Sequence, residues 1–194
     1  IDGVDGLAAG VGTIAALTFA FWFFNTKDLP LALLASTLAG SLVAFLIYNF
    51  NPAKIFMGDS GSLTIGVVVY VLAVKMIEFP IKELPQIVDG VSKPVLAMAI
   101  LSYPLIDTLR VFIQRTLQGR SPFSADKNHI HHRLLALGLS QKMVAITLYL
   151  YTLFVITLTF LMPRHRPNIS LIVVFGIALV ISQIIFLIPL PKKK

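Results

Sequence analysis

Three of the chain's four histidines fall within four positions, as His129-Ile130-His131-His132, and Arg133 follows at once. Imidazole and guanidinium groups are N–H donors, so such a cluster in a basic loop can surround an anion without a metal of its own. A zinc site has poor spacing here, because helical ligand pairs want i,i+4 and no cysteine or obvious carboxylate completes the set. Solvated loop residues are the third reading, a poor one for so dense a cluster. Arg120 and Lys127 lie in the same segment and strengthen its field for a multiply charged ligand. A second segment, Met57-Gly58-Asp59-Ser60-Gly61-Ser62, sets a carboxylate in a glycine-flanked turn that opens into an apolar run. Free N–H groups at a helix start suit phosphate oxygens, and glycine lets a ligand come close. Phosphate would repel Asp59 unless a cation lay between them, and a hard divalent ion such as Mg2+ bridges the two. Asp59 therefore reads as a metal ligand, with helix capping as the alternative.

Upstream of that turn, Lys54 reads as a phosphate contact or as an ordinary interfacial charge. The amides of Asn49 and Asn51 could meet a nucleobase edge or cap the neighbouring helix. The opening Asp2-Gly3-Val4-Asp5-Gly6 places two carboxylates on one side of a single turn, for chemistry or for capping. Asp107 lies inside an apolar run, where an ionisable group is functional by default. Its alternative is a pair with Arg110, three residues on, reaching back to the interface. His165 stands alone and reads as a polar turn residue.

These residues need elements to hold them, and composition says which kind. The 194 residues are 57% hydrophobic and 13% charged, and their mean hydropathy of +0.86 excludes a soluble globular enzyme. Six apolar runs, at about 7–24, 29–50, 62–77, 94–113, 143–162 and 169–188, each approach the ~20 residues that a bilayer crossing requires. The fold expected is all-α, a polytopic integral membrane helical bundle of about six transmembrane helices forming a single domain over 1–194. The runs are continuous rather than alternating, which disfavours a β-barrel. The net charge of +7 then reads as topology, with no nucleic acid as partner. An even number of spans puts both ends on one side, and with that side cytoplasmic the Lys and Arg residues divide ten to six in its favour. Loops 1–6, 51–61 and 114–142 converge there. The opposite loops, 25–28, 79–93 and 163–168, read as plain connectors. With no cysteine, disulfides and thiolate chemistry are excluded. The chain begins at Ile1 inside a polar motif, without a signal peptide, and reads as the C-terminal portion of a longer protein.

Taken together, Asp-Gly-Val-Asp-Gly-Leu-Ala, Ile-Phe-Met-Gly-Asp-Ser-Gly-Ser and Arg-Ser-Pro-Phe-Ser-Ala-Asp-Lys-Asn-His-Ile-His-His-Arg resemble one family along the whole chain. It is the polyprenyl-phosphate N-acetylhexosamine-1-phosphate transferases of bacterial inner membranes, of the glycosyltransferase family 4 type. The His-Ile-His-His form looks like the branch that loads GlcNAc-1-phosphate for O-antigen, enterobacterial common antigen or teichoic acid linkage. The peptidoglycan branch, which transfers phospho-MurNAc-pentapeptide, usually has three consecutive histidines followed by Phe.

The resemblance implies the first membrane step of envelope polysaccharide synthesis: UDP-GlcNAc and undecaprenyl phosphate give undecaprenyl-diphospho-GlcNAc and UMP, with Mg2+, or Mn2+ in its place. It also implies roles. Asp59 would bind the metal, Asp2 and Asp5 would line the nucleotide and acceptor site, and Asn49 would touch the uridine. His129, His131, His132 and Arg133 would hold sugar-phosphate oxygens. The site would face the cytoplasm among membrane lipids, and a second copy is a candidate partner. The family also has about five further N-terminal spans, an Asn-x-x-Asn pair and an earlier loop with paired aspartates, so the chain alone is expected to be inactive. Two rivals come from other classes: a proton- or metal-coupled transporter built on Asp107 and the histidines, and a non-catalytic scaffold.

Overall fold

A computed structural model describes residues 3–81, 84–121, 123, 129–162 and 166–190. Among these residues every regular element of more than one residue is an α-helix, and no strand occurs. In chain order they are α1 (Leu7–Asn25), α2 (Leu29–Asn49), α3 (Gly58–Glu78), α4 (Gln86–Asp89), α5 (Lys93–Ile100), α6 (Ser102–Leu117), α7 (Ile130–Ala136), α8 (Gln141–Phe160) and α9 (Pro167–Leu187). Five of them, α1, α2, α3, α8 and α9, are long and apolar enough to cross a membrane. Local chemistry starts several of these helices. Asp28 accepts a hydrogen bond from the Leu31 N–H, with Pro30 inside the first turn of α2, and Ser140 accepts from Met143 N–H to open α8.

The expected fourth span, 94–113, is instead two helices, α5 and α6, bent by 73°. The cause sits at Pro104: it has no N–H to give the carbonyl of Ile100, four residues back, and its ring crowds that carbonyl. Helical bonding resumes one residue later, where Leu105 N–H donates to the carbonyl of Leu101. Taken as one broken span, α5 and α6 bring the total to six. The third span also begins earlier than expected, at Gly58, so Asp59 lies in the first turn of α3 rather than in a loop before it.

Helix α1 is the centre of the packing: 61% of its apolar window is buried, against 22% for α2, α3 and α9. Small residues make this close packing feasible, because in lipid helices associate through van der Waals contact rather than a hydrophobic drive. A Cβ on Gly10 would lie 2.0 Å from the Tyr149 ring, so only glycine lets α8 come this near. One core cluster, with Phe19, Trp22, Phe23, Leu72, Met76 and Leu96, fills one end of the bundle. A second, with Val4, Leu7, Tyr103, Ile130, Leu134 and Leu148, fills the other, beneath the loops that carry the polar motifs. Leu33, Ile47, Leu63, Val67 and Ile172 point outward, as side chains solvated by lipid do.

The loop 79–93 is more than a connector. It contains α4, and at its end the buried Lys93 donates from Nζ to the carbonyls of Ile77 (2.7 Å) and Phe79, closing the C-terminus of α3.

Candidate functional site

The first loop is sewn to the second by short-range polar contacts. Asp5 accepts at Oδ2 from Asn51 Nδ2 (2.9 Å) and from the Ala53 N–H (3.0 Å), while its own N–H donates to Gln141 Oε1 at the start of α8 (3.1 Å). Gly6, the residue before α1, has φ of +76°, a conformation that glycine adopts without strain. Its N–H donates to Asn49 Oδ1 (3.1 Å), and its carbonyl accepts from the Tyr149 hydroxyl (2.5 Å). Asn49 completes the bracket by donating from Nδ2 to the carbonyl of Ile55 (2.8 Å). Asn49 is thus a buried amide engaged on both sides, holding loops 3–6 and 50–57 together.

The histidine segment meets the first loop directly. His131 is buried, and its Nε2 lies so close to Gly3 that a Cβ there would stand 2.9 Å away. On its other side, Nδ1 lies 3.3 Å from the Tyr103 hydroxyl. His129 pairs through Nδ1 with Asp107 Oδ2 (2.9 Å), and Asp107 Oδ1 accepts from the N–H of Ile130, the first residue of α7 (2.8 Å). The three imidazoles form one group: the His131 and His132 centroids are 4.3 Å apart, and His129 and His131 are 5.5 Å apart and nearly parallel. Burial, reinforced by the neighbouring His132 and His129, lowers the His131 pKa to about 3. That ring is neutral at physiological pH.

Arg133 faces the end of α9. Its guanidinium donates to the carbonyls of Ile185 (3.5 Å), Phe186 (3.3 Å) and Ile188 (2.6 Å), closing a helix terminus that has no amide partners left. Arg110 stacks 3.3 Å above the Phe186 ring, so α6, α7 and α9 share this corner.

Asp59 is exposed in the first turn of α3, just past Gly58 with φ of +66°. Lys54 is exposed one loop earlier. No three His, Cys, Asp or Glu side chains among the described residues are grouped to cage a metal. A single exposed carboxylate suits Mg2+, which keeps its waters and takes the rest of its shell from phosphate oxygens, and does not suit zinc. An apolar cavity of about 360 Å³ opens between α1, α3 and the α5–α6 bend, lined by Ala8, Gly12, Met57, Ser62, Ile65 and Pro104 among others. Neither Asp59 nor a histidine is part of that lining.

Asp2, Lys127 and His165 lie outside the described residues. The remaining candidates sit on loops 3–6 and 50–57, on the histidine segment that opens α7, and on the adjoining helices α2, α3 and α6, and contacts tie loop 3–6 to loop 50–57 and to the histidine segment. Sequence reasoning missed four supports: Tyr103, Gln141, Tyr149 and the partnership of Asp107. The spacing of Tyr103 and Asp107, one turn apart on α6, is the signal that could have found two of them. The Asp107 carboxylate meets His129 and Ile130 across the bundle, in place of the local pair with Arg110 that the spacing had also allowed.

Residues 1–77 match the model of glycosyl transferase family 4. Over its full length the chain is 34% identical to a decaprenyl-phosphate N-acetylglucosaminephosphotransferase of Mycolicibacterium smegmatis, of which it covers 50%. A "probable undecaprenyl-phosphate N-acetylglucosaminyl 1-phosphate transferase" of Bacillus subtilis is 36% identical over 95% of the chain and 49% of that protein. A phospho-N-acetylmuramoyl-pentapeptide-transferase of Clostridium beijerinckii is 40% identical over 72% of the chain and 39% of that protein. The chain spans about half the length of the relatives first matched. No solved structure matches it.

Proposed function

The chain belongs to glycosyl transferase family 4, and on that premise we propose that it serves the transfer of N-acetylglucosamine 1-phosphate from its UDP-sugar to a polyprenyl phosphate. An oxygen of the lipid phosphate attacks the sugar-linked phosphorus. The bond from that phosphorus to the bridging oxygen breaks, and UMP leaves with the electron pair. Little covalent chemistry falls to the protein, so its work is positioning and neutralising the charge of the diphosphate. The observation that carries this reading is the meeting of the imidazole cluster with the Asp-Gly loop, at the end of the bundle where Asp59 opens α3.

In this reading Asp59 holds Mg2+, or Mn2+ in its place, and the ion bound there would offset pyrophosphate charge. His132 donates to one sugar-phosphate oxygen, and His129 holds another. His131, being neutral, contributes a hydrogen bond rather than a charge. Lys54 adds field at the entrance, and Arg133 does so from α7, where its guanidinium closes the end of α9. Asp5 and Asn49 keep the two aspartate loops in register, and Asp2 adds its carboxylate to the first. The apolar cavity beside Met57 and Ser62 offers lipid-like surface near the start of α3. The site would face the cytoplasm from a bacterial inner membrane, and the further N-terminal spans that the family resemblance implies, about five, would complete it. The polar groups gather at one end of the helices rather than at mid-depth, which argues against a transporter.

The test uses the complete transferase in membranes, given undecaprenyl phosphate with either UDP-GlcNAc or UDP-MurNAc-pentapeptide. UMP release from UDP-GlcNAc, stopped by EDTA and lowered at least ~10²-fold by Asp59→Asn, is the expected result. Release from the MurNAc donor alone would move the protein to the peptidoglycan branch, to which the Clostridium beijerinckii relative belongs by its name. Release that persists in EDTA would remove Asp59 from its role.

A further inference from the structure

Asp107 joins α6 to the histidine segment by two bonds at once, one to His129 and one to Ile130. Asp107 is 5% exposed on α6, and both of its oxygens are used. A backbone N–H can only donate, so Oδ1 is the acceptor for Ile130. An ionised carboxylate only accepts, so the proton between Oδ2 and Nδ1 belongs to the imidazole. This leaves Nε2, across the ring from Asp107, as the nitrogen of His129 that meets a ligand.

We propose that Asp107 is a positioning residue for phosphoryl transfer, fixing His129 as its Nδ1–H form so that Nε2, a lone-pair acceptor, is presented to a proton-bearing oxygen of the sugar-phosphate. The assignment rests on the functional reading given above. Three observations carry it. First, the bond to Ile130 pins the start of α7, so the ring is held by its backbone as well as by its nitrogen. Second, α6 supplies a matching support one turn earlier, where Tyr103 lies against Nδ1 of His131. Third, the His129 and His131 rings are stacked at 8°, so orienting one constrains the other. A carboxylate behind a ring nitrogen is also how proteins set the basicity and direction of a working imidazole.

The two bonds of Asp107 can be separated. Asp107→Asn keeps an acceptor for Ile130 N–H but turns an NH2 group toward His129, whose Nδ1 must then accept. The ring proton moves to Nε2. We expect Asp107→Asn, in the complete transferase assayed with UDP-GlcNAc and undecaprenyl phosphate, to lower kcat about 10²-fold, with KM changed less than about 3-fold. His129→Gln should cost a similar factor, and the double variant should be no slower than His129→Gln alone, because Asp107 acts through that ring. Asp107→Glu, which restores a carboxylate, should recover part of the rate. Histidine 15N shifts of the detergent-solubilised protein give a readout independent of turnover: Nδ1–H at His129 in the wild type and Nε2–H in Asp107→Asn. Losses that multiply in the double variant, or an Nε2–H ring in the wild type, would overturn the assignment. A wild type that releases no UMP yet shows the Nδ1–H ring would instead count against the functional reading.

Discussion

His131 illustrates how a single side chain can be read from its surroundings. It is packed against Gly3 and Tyr103 and ringed by two further imidazoles, so protonation would bury a charge among potential like charges. Its folded-state pKa of about 3 lies below the ordinary imidazole value of 6.5. The unfolded chain therefore binds the proton first as pH falls, and stability present above pH ~6.5 is lost progressively below it. Between pH 6.5 and 5 the loss should be about 2 kcal/mol. Thermal midpoints in detergent should fall over this interval in the wild type and fall less in His131→Gln. An equal fall in both would show that the ring is not buried neutral. The cluster itself was legible, since four adjacent positions announce it. The environment that makes one member neutral was not, because Gly3 and Tyr103 reach it from 128 and 28 positions away in the chain.

At the scale of elements, close approach decides the geometry. Gly10 gives α8 access to α1, and the Tyr149 hydroxyl then reaches the Gly6 carbonyl, setting the turn that carries Asp5. Tyr149→Phe should remove that bond alone and cost ~1 kcal/mol, whereas Gly10→Ala should cost more by pushing the ring out of place. Combining Gly10→Ala with Tyr149→Ala should recover part of the Gly10→Ala loss, since the clash has gone. Strictly additive midpoint shifts would contradict this account of the α1–α8 contact. Five of the spans could be read from apolar length, because lipid imposes nearly the same requirement on every crossing. The bend at Leu101 was missed for a physical reason. Pro104 is tolerated within the first turn of a helix, so the sequence alone does not say whether it kinks a span or begins a new one.

At the scale of the whole molecule, loops far apart in sequence close on one end of a helical bundle, while the other end is filled by Trp22 and its neighbours. The alternation of spans anticipated this gathering of loops, and bonds between loops 3–6 and 50–57 give it a structural basis. Membrane sidedness tests it most directly, and these 194 residues contribute no cysteine of their own to the labelling. Single substitutions Ser60→Cys, His132→Cys and Ile81→Cys, placed in the complete protein in sealed vesicles of known orientation, can be exposed to a membrane-impermeant maleimide. Labelling of Ser60→Cys and His132→Cys from the same side, and of Ile81→Cys from the other, is the predicted result. Labelling of Ser60→Cys and His132→Cys from opposite sides would separate the aspartate turn from the imidazoles and contradict the account.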